Sequence, residues 1–302
     1  EALKPSRYVR EVYLDPDQNN QRVRQNILNA GIYAQLQTKL FTGFELMAGL
    51  RLDNATYFNK GNFSQLVYDE LGLRTDNGLS TFQIQPRVQI TWDFNDKHTD
   101  ILRIGGGIFA SDINNYAMIN NMVFDGTKVM SVDIKNTEKE PDIVPTPDFI
   151  GYRKDPSTAP GIDLLNNPKY ADKAVPTINM NSKDAKVPVV YKANISYTHF
   201  FSDRLKMSVS GYMTLGRNNY MYIDRNMVDD PYFRLSAEGN RGIYVPASTI
   251  GKDGTLDWME GRKSTKVGRV LELVSEGKVN QFAFTVDGTW RYYKDGELSF
   301  SY

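Results

Sequence analysis

Few residues in this chain are spaced to do chemistry, and each has a simpler reading. Asp15, Asp17 and Asn19 put oxygen-bearing side chains at alternate positions, as a calcium loop begins. Such a loop needs glycine at its sixth position and a carboxylate at its twelfth; Asn20 and Asn26 stand there instead, so a polar turn is expected. Gly105-Gly106-Gly107 could cradle a phosphate only if it opened a helix. It lies in alternating strand sequence, where glycine relieves crowding or permits a bend. His98, near Asp96 and Asp100, falls in an expected solvated turn, and His199 falls near a strand end. No serine has nucleophile-elbow spacing. Cysteine is absent, which excludes disulfides, thiolate metal sites and cysteine catalysis. These residues point to no catalytic, metal or cofactor site, and hence to a protein that is not an enzyme.

Composition narrows the class. The 36 basic residues balance 36 acidic ones, without the basic excess of a nucleic-acid binder. Tyrosine (18) and phenylalanine (15) are abundant, while mean hydropathy is polar at −0.48. No apolar run approaches the roughly 18 residues of a membrane-spanning helix. A soluble enzyme could show this composition; so could a transmembrane barrel with a polar lumen, polar loops and aromatic rims. Glu1-Ala2-Leu3-Lys4-Pro5 lacks the basic start and apolar stretch of a signal peptide, and Leu298 to Tyr302 is strand sequence with no closing turn. Both ends therefore read as cuts within a longer protein.

The decisive signal is alternation, because side chains on a strand point to opposite faces with period two. Leu28, Ala30, Ile32, Ala34, Leu36, Thr38 and Leu40, apolar apart from the threonine, alternate with Asn29, Gly31, Tyr33, Gln35, Gln37 and Lys39. After Thr42-Gly43, a tight hairpin turn, Phe44, Leu46, Ala48, Leu50 and Leu52 repeat the pattern. Phe82, Ile84, Pro86, Val88, Ile90, Trp92 and Phe94 alternate with Gln83, Gln85, Arg87, Gln89, Thr91 and Asp93. A turn at Asn95-Asp96-Lys97 precedes Leu102, Ile104, Gly106, Ile108 and Ala110. The pattern resumes at Val189 to Tyr197, at Leu205 to Leu215 beyond a turn near Ser202-Asp203, and at Phe282 to Tyr292. A final strand follows Lys294-Asp295-Gly296.

About eight strands in four hairpins result. Strands of ~9–13 residues exceed the usual globular length of about 5–6 and suit a tilted membrane crossing. Short turns alternate with long connections at 54–81, 111–188 and 216–278. Short periplasmic turns and long extracellular loops are the rule for outer-membrane barrels. A soluble β-sandwich also alternates, but strand length and loop asymmetry favour the barrel. Pro86 cannot donate to a ladder, so a bulge is expected there. Trp92, Phe94, Tyr197, Phe201, Trp290 and Tyr292 cluster near the short turns, as an interfacial girdle would. Any substrate contact is expected in the long loops, which would form an outer vestibule, or on the lumen face; no residue is singled out.

The hairpins also resemble a known family. Ile32-Tyr33-Ala34-Gln35 followed by Gly49-Leu50-Arg51-Leu52-Asp53 is similar to an aromatic-x-Gln-Asp and "GLRxD" hairpin of TonB-dependent outer-membrane receptors, with Leu36 where the family often has Asp. Gln85-Pro86-Arg87-Val88, Trp92-Asp93 and Ile104 to Phe109 resemble a hairpin of the Oar-like branch, as do Tyr191 to Asn219 and Ser299 to Tyr302. The resemblance implies a barrel of about 22 strands plugged by an N-terminal domain absent from this segment.

The expected fold is thus an antiparallel, all-β transmembrane barrel segment occupying 1–302 as part of one domain. Even residues of the first four strands, odd residues of the next two and even residues of the seventh are expected to face lipid. The expected role is nutrient import across the bacterial outer membrane (a siderophore, cofactor, peptide or glycan). Its partners would be lipid, the rest of its own barrel and plug, TonB through the plug segment, an unidentified imported ligand and other outer-membrane proteins, with no nucleic acid. The alternative is an adhesion or assembly barrel whose loops bind a partner protein without transport.

Overall fold

The computed structural model describes residues 5–15, 22–94, 96–136, 140–144, 167–252, 254–294 and 296–302. In chain order these form β1 (Arg7–Tyr13), β2 (Ile27–Phe41), β3 (Phe44–Tyr57), α1 (Gln65–Leu71), β4 (Gln83–Asp93), β5 (Asp100–Ala110), α2 (Asn115–Val123), β6 (Val129–Lys135), β7 (Ala174–Val175), β8 (Ile178–Asn181), β9 (Val189–Ser202), β10 (Leu205–Asp224), β11 (Phe233–Leu235), β12 (Arg241–Ile243), β13 (Val270–Tyr293) and β14 (Gly296–Ser301). The eight long strands join in sequence order, β2-β3-β4-β5-β9-β10-β13-β14, every neighbour antiparallel, and β8 adds in parallel to the far end of β13. β2 and β14 are free edges, so the sheet is an open arc. The candidate calcium positions Asp17, Asn19 and Asn20, and Asn95, Asp295, Pro145, Pro147, Pro156 and Pro160, lie outside the described residues.

Register turns the alternation of single strands into two continuous faces. Thr38, Leu46, Ile90, Ile104, Ile195, Gly211 and Phe284 stand in one cross-strand row from β2 to β13. A neighbouring row on the other face is Gln35, Gly49, Arg87, Gly107, Lys192, Thr214 and Gln281. The apolar rows are uncovered: Ile32 is 69% exposed and Phe284 66%. The even residues of β2 to β5, the odd residues of β9 and β10 and the even residues of β13 share one face of the sheet. This sheet has the strand length, face segregation and connection asymmetry of a transmembrane barrel wall.

The short connections gather at one end. Gly43 takes the Thr42-Gly43 hairpin through the left-handed region at φ 78°. In the β4–β5 turn, Asp96 and His98 also have positive φ, and the Asp93 carboxylate accepts from the His98 backbone N–H at 3.0 Å and contacts its Nδ1 at 2.6 Å. His98 is therefore a turn residue, tied to Asp93 rather than to Asp96 or Asp100. Asp100 instead accepts from Tyr197 (2.5 Å) and pairs with His199 Nδ1 (2.7 Å) across β5 and β9. The aromatic girdle is continuous here: Phe41 stacks on Phe44, Trp92 meets both edge-on, Phe94 follows at 4.6 Å, and Tyr197 lies 6.2 Å beyond. A register shift between Lys39 and Phe41 brings Phe41 opposite Phe44.

Two expectations need correction. Pro86 is not at a bulge: β3 pairs with β4 through Leu50 and Pro86 with no slip, and the β4–β5 pairing simply starts at Arg87. The imino acid stands where its missing N–H has no ladder to serve. The third long connection is also shorter than 216–278, because β10 runs to Asp224 and β13 starts at Val270. Register shifts at Gly216, Asn219 and Met221 broke the period-two pattern and hid the extension. β13 has 24 residues, roughly 80 Å at about 3.3 Å per residue. A hydrocarbon core of about 30 Å leaves much of it outside the bilayer.

The long connections are polar in composition yet fold together. One cluster takes Val67 from α1, Ile178 and Met180 from β8, and Val267 and Val270 from the approach to β13. A second packs Ile113, Ala117, Met118, Ala185, Val187 and Leu273. A third lies under β6, where Val132 and Ile134 meet Ile143, Val144 and Tyr170. Asp125 is fully buried and accepts from the Asn62 and Thr127 backbone N–H groups, both at 2.9 Å, and from Lys128, joining the first two connections. β1, which the sequence reading did not foresee, pairs with β6. The Arg7 guanidinium clasps Asp133 with two bonds of 2.8 and 2.6 Å, and the Trp258 indole N–H reaches the same carboxylate at 3.3 Å. Trp258 in turn lies under the Arg262 guanidinium, which pairs with Asp224 at the tip of β10.

Two outcomes follow from this architecture. Ala34→Arg in the parent barrel is expected to lose about 2–4 kcal/mol of folding stability in lipid vesicles, since the charge faces hydrocarbon near mid-strand, whereas Gln35→Arg loses little. Equal denaturant midpoints for the two would overturn the facing assignment. The second concerns Asp133, whose carboxyl is held below the ordinary carboxylate range, first by the Arg7 hydrogen bonds and then by that residue's charge. Its folded form favours the ionised state, so its contribution is present above the unfolded value of roughly 3.9 and is lost as pH falls through the lower folded value. Trp258 emission, read with Trp92 and Trp290 replaced by Phe, is expected to change below about pH 4, and Arg7→Leu to move that transition upward.

Candidate functional site

The polar face, with no lipid to meet, carries the groups able to hold a ligand. Its centre is built by Pro86. Where the β4–β5 ladder stops, the buried Gln85 side chain takes over: Oε1 accepts from the Ala110 N–H at 3.2 Å, and Nε2 donates to Asp53 at 2.6 Å. Asp53 also receives a two-pronged bond from Arg51, at 2.6 and 2.8 Å. Gly31 on β2 leaves room for this carboxylate, since a Cβ there would lie 2.3 Å from Asp53 Oδ1. Arg51, Asp53 and Gln85 therefore form a satisfied network that fixes the wall.

Arg87 and Lys192 differ. The Arg87 guanidinium lies 4.6 Å from the centre of the Phe109 ring, and Lys192 Nζ lies 5.9 Å from it. Among the described residues neither cation has an ion-pair partner, and the nearest side-chain acceptor to Arg87 is Gln85 Oε1 at 3.5 Å. Gly105 and Gly107 keep this part of the wall thin. A Cβ on Gly107 would meet the Pro86 carbonyl at 2.9 Å, and one on Gly105 would meet Asn194 at 2.6 Å. The glycine run thus serves close strand approach, as expected for a strand position.

Two cavities continue from this face toward the folded connections. The inner one, about 400 Å³, is bounded by Gly31, Arg51, Asp53, Gln85 and Arg87. The outer one, about 640 Å³, is bounded by Tyr57, Asn114, Asn115, Asn219 and Tyr220. Asn29, Ser111 and Asp112 line both, so the two adjoin. The outer walls come from β2, β3, the β5–α2 connection and β10. Asn114 caps α2, its Oδ1 accepting from the Tyr116 N–H at 2.9 Å. Asn218 sits in the left-handed region (φ 56°) at the β10 bulge, and the Arg217 guanidinium bonds the Gly216 and Val279 carbonyls at 2.7 and 3.2 Å. That bulge re-aims Asn219 and Tyr220 into the cavity.

The sequence reading placed substrate contacts on the lumen face or in the loops but named none. Gln85 and Arg87 stand out there as polar-face residues, and Arg51 and Asp53 only within the hairpin motif. Asn114, Asn115 and Tyr220 were missed, because their convergence depends on connections that no periodicity describes. Among the described residues no three acidic or histidine side chains group as a metal site would need.

No protein-family description matches the sequence, and no curated protein does. Solved structures are similar to this chain at low identity. The outer membrane transporter YddB from Escherichia coli is 11% identical with a TM-score of 0.47, over 87% of this chain and 22% of that one. The siderophore receptor PirA from Pseudomonas aeruginosa is 10% identical with a TM-score of 0.44, over 90% and 33%. The FrpB iron transporter from Neisseria meningitidis is 9% identical with a TM-score of 0.43, over 92% and 26%. The chain spans a third or less of the length of these proteins.

Gln85→Leu is expected to leave the Ala110 N–H and Asp53 each short of a partner, weakening the parent barrel by about 1–3 kcal/mol. Hydrogen exchange at Ala110 is expected to quicken while that at Ile104 stays slow; unchanged exchange at Ala110 would show that Gln85 does not close the ladder.

Proposed function

We propose that this chain forms part of the wall and outer mouth of an outer-membrane importer of the TonB-dependent receptor kind in a Gram-negative bacterium. The observation that carries the reading is the path of two adjoining cavities, from the folded connections down to a polar sheet face whose Arg87 and Lys192 have no carboxylate partner among the described residues. A wall that only anchors adhesive loops has no use for a lumen face with open binding groups. The uncovered apolar face fits lipid, and the aromatic belt fits one headgroup level. The hairpin motifs that resemble the family add to this. In this reading the rest of the barrel, a plug and TonB are partners, and chemistry on the ligand is not part of the role.

Import and surface adhesion separate in one experiment on the intact parent protein. Cells lacking the parent reading frame are compared with cells in which TonB is inactivated, by uptake of labelled medium components under nutrient limitation. The importer reading expects the same uptake defect in both. A defect in surface attachment that appears only when the frame is deleted, with uptake unchanged, would favour the adhesion barrel.

A further inference from the structure

The two cavities differ in charge, and the difference bears on what enters first. The inner cavity carries Arg51 and Arg87 against Asp53 and Asp112. Among the described residues the outer cavity is lined by neither lysine nor arginine, and Asp112 is the one charged side chain there. Anionic chelates and carboxylate-ended peptides find no cation there to hold them. What it offers is amide and phenol. The side chains of Asn29, Asn115 and Asn219 line this space and make no hydrogen bond among the described residues, so their amides keep donor and acceptor capacity for a ligand. Tyr220, 43% exposed, belongs to the same lining.

We infer that the outer cavity binds a neutral oligosaccharide. This deepens the importer reading and rests on it for the statement that the ligand then moves inward. A sugar presents apolar C–H faces and a ring of hydroxyls that both donate and accept. An exposed tyrosine ring covers such a face while its hydroxyl stays wet. A carboxamide matches adjacent hydroxyls as donor and acceptor together. Three open carboxamides and a tyrosine around about 640 Å³ give room for two or three sugar units. A site built of hydrogen-bonding groups discriminates strongly against ligands that cannot pair with them, because its own polar atoms are then left bare. The β10 bulge makes the arrangement specific to this wall, since a regular β10 would carry the side chains beyond Gly216 in simple alternation.

The test uses the full-length parent receptor in detergent. Titration calorimetry is run with six-unit neutral glucans, mannans, xylans and galactans, an oligogalacturonate as the anionic counterpart, and an uncharged hexapeptide. At least one neutral oligosaccharide is expected to bind, with Tyr220→Ala and Asn219→Ala each weakening it tenfold or more, and Tyr220→Phe within threefold of the parent. Asn115→Ala, at an exposed helix position, gives an independent variant that folds even where a β10 change does not, and it too is expected to weaken binding. Binding of only the oligogalacturonate or the peptide, no binding at all, or neutral binding indifferent to all three variants would overturn the inference. TonB-dependent uptake of another nutrient alongside any of those results would leave the importer reading standing and remove only the sugar.

Discussion

Cross-strand register is the constraint on which the rest depends. Period two makes each strand two-faced, but only register makes the faces of eight strands coincide. A slip of one residue in any pair would turn an entire apolar row to the polar side. The pairing of Leu46 with Ile90, Ile90 with Ile104 and Ile104 with Ile195 fixes that register through the middle of the sheet. Tight turns such as Thr42-Gly43 pin it at one end, and the aromatic contacts from Phe41 to Tyr197 pin it again beside the turns. Phe300 lies over Gly288 on the last hairpin, where an aromatic ring covers the backbone of a strand glycine.

This constraint decides where a water-excluding core can form. A sheet that turns its apolar face to lipid has nothing to bury on that side, and its polar face must stay open. Hydrophobic burial therefore moves into the connections. Val67, Ile178, Met180, Val267 and Val270 come from three different connections and meet in one cluster, which holds the outer mouth in shape. Around it, the chain of contacts from Arg7 through Asp133, Trp258 and Arg262 to Asp224 ties the β1–β6 sheet to the tip of β10. The protein thus has two solvents and two kinds of stability: register and backbone pairing in the wall, ordinary packing in the mouth.

That division also explains how much could be read from the sequence. The eight long strands, their order and their two faces were legible because a wall in lipid must repeat with period two, as Gln83 to Asp93 does throughout and Leu28 to Leu40 does with Thr38 as the one polar residue on its apolar face. The mouth was not legible. β6 carries Val132 and Ile134 between Ser131, Asp133 and Lys135, a signal too short to stand out, and β1 mixes arginine, glutamate and valine on its exposed positions. β10 was cut short at Leu215 because a bulge at Arg217 and Asn218 breaks alternation where the strand continues. Pro86 was misjudged for the opposite reason: a rule about proline inside sheets suggested a distortion, while the neighbouring strand had already stopped pairing. The candidate site straddles the two regimes. Its inner residues, Arg51 to Arg87, could be placed on the right face; its outer residues could not be placed at all.

The contrast between satisfied and open polar groups is what separates structure from function on the lumen side. Asp53 accepts from Arg51 and Gln85, Asp125 from two backbone N–H groups and a lysine, and Asn226 bonds the carbonyls of Ser264, Val267 and Gly268 at 2.8–2.9 Å. These groups are fully engaged, and each lies where a partner fixes the backbone. Arg87, Asn29, Asn115 and Asn219 line the cavities and Lys192 stands beside Phe109 on the same sheet face, and among the described residues none has such a partner. Polar groups left open at a cavity wall stand where water or a ligand can complete them. The open groups also change character along the path, from uncharged amides and phenols at the mouth to cations beside an aromatic ring deeper in. A ligand moving inward would exchange one set of contacts for another of different chemistry, passing Asp112, which lines both cavities, before it reaches Arg51 and Arg87.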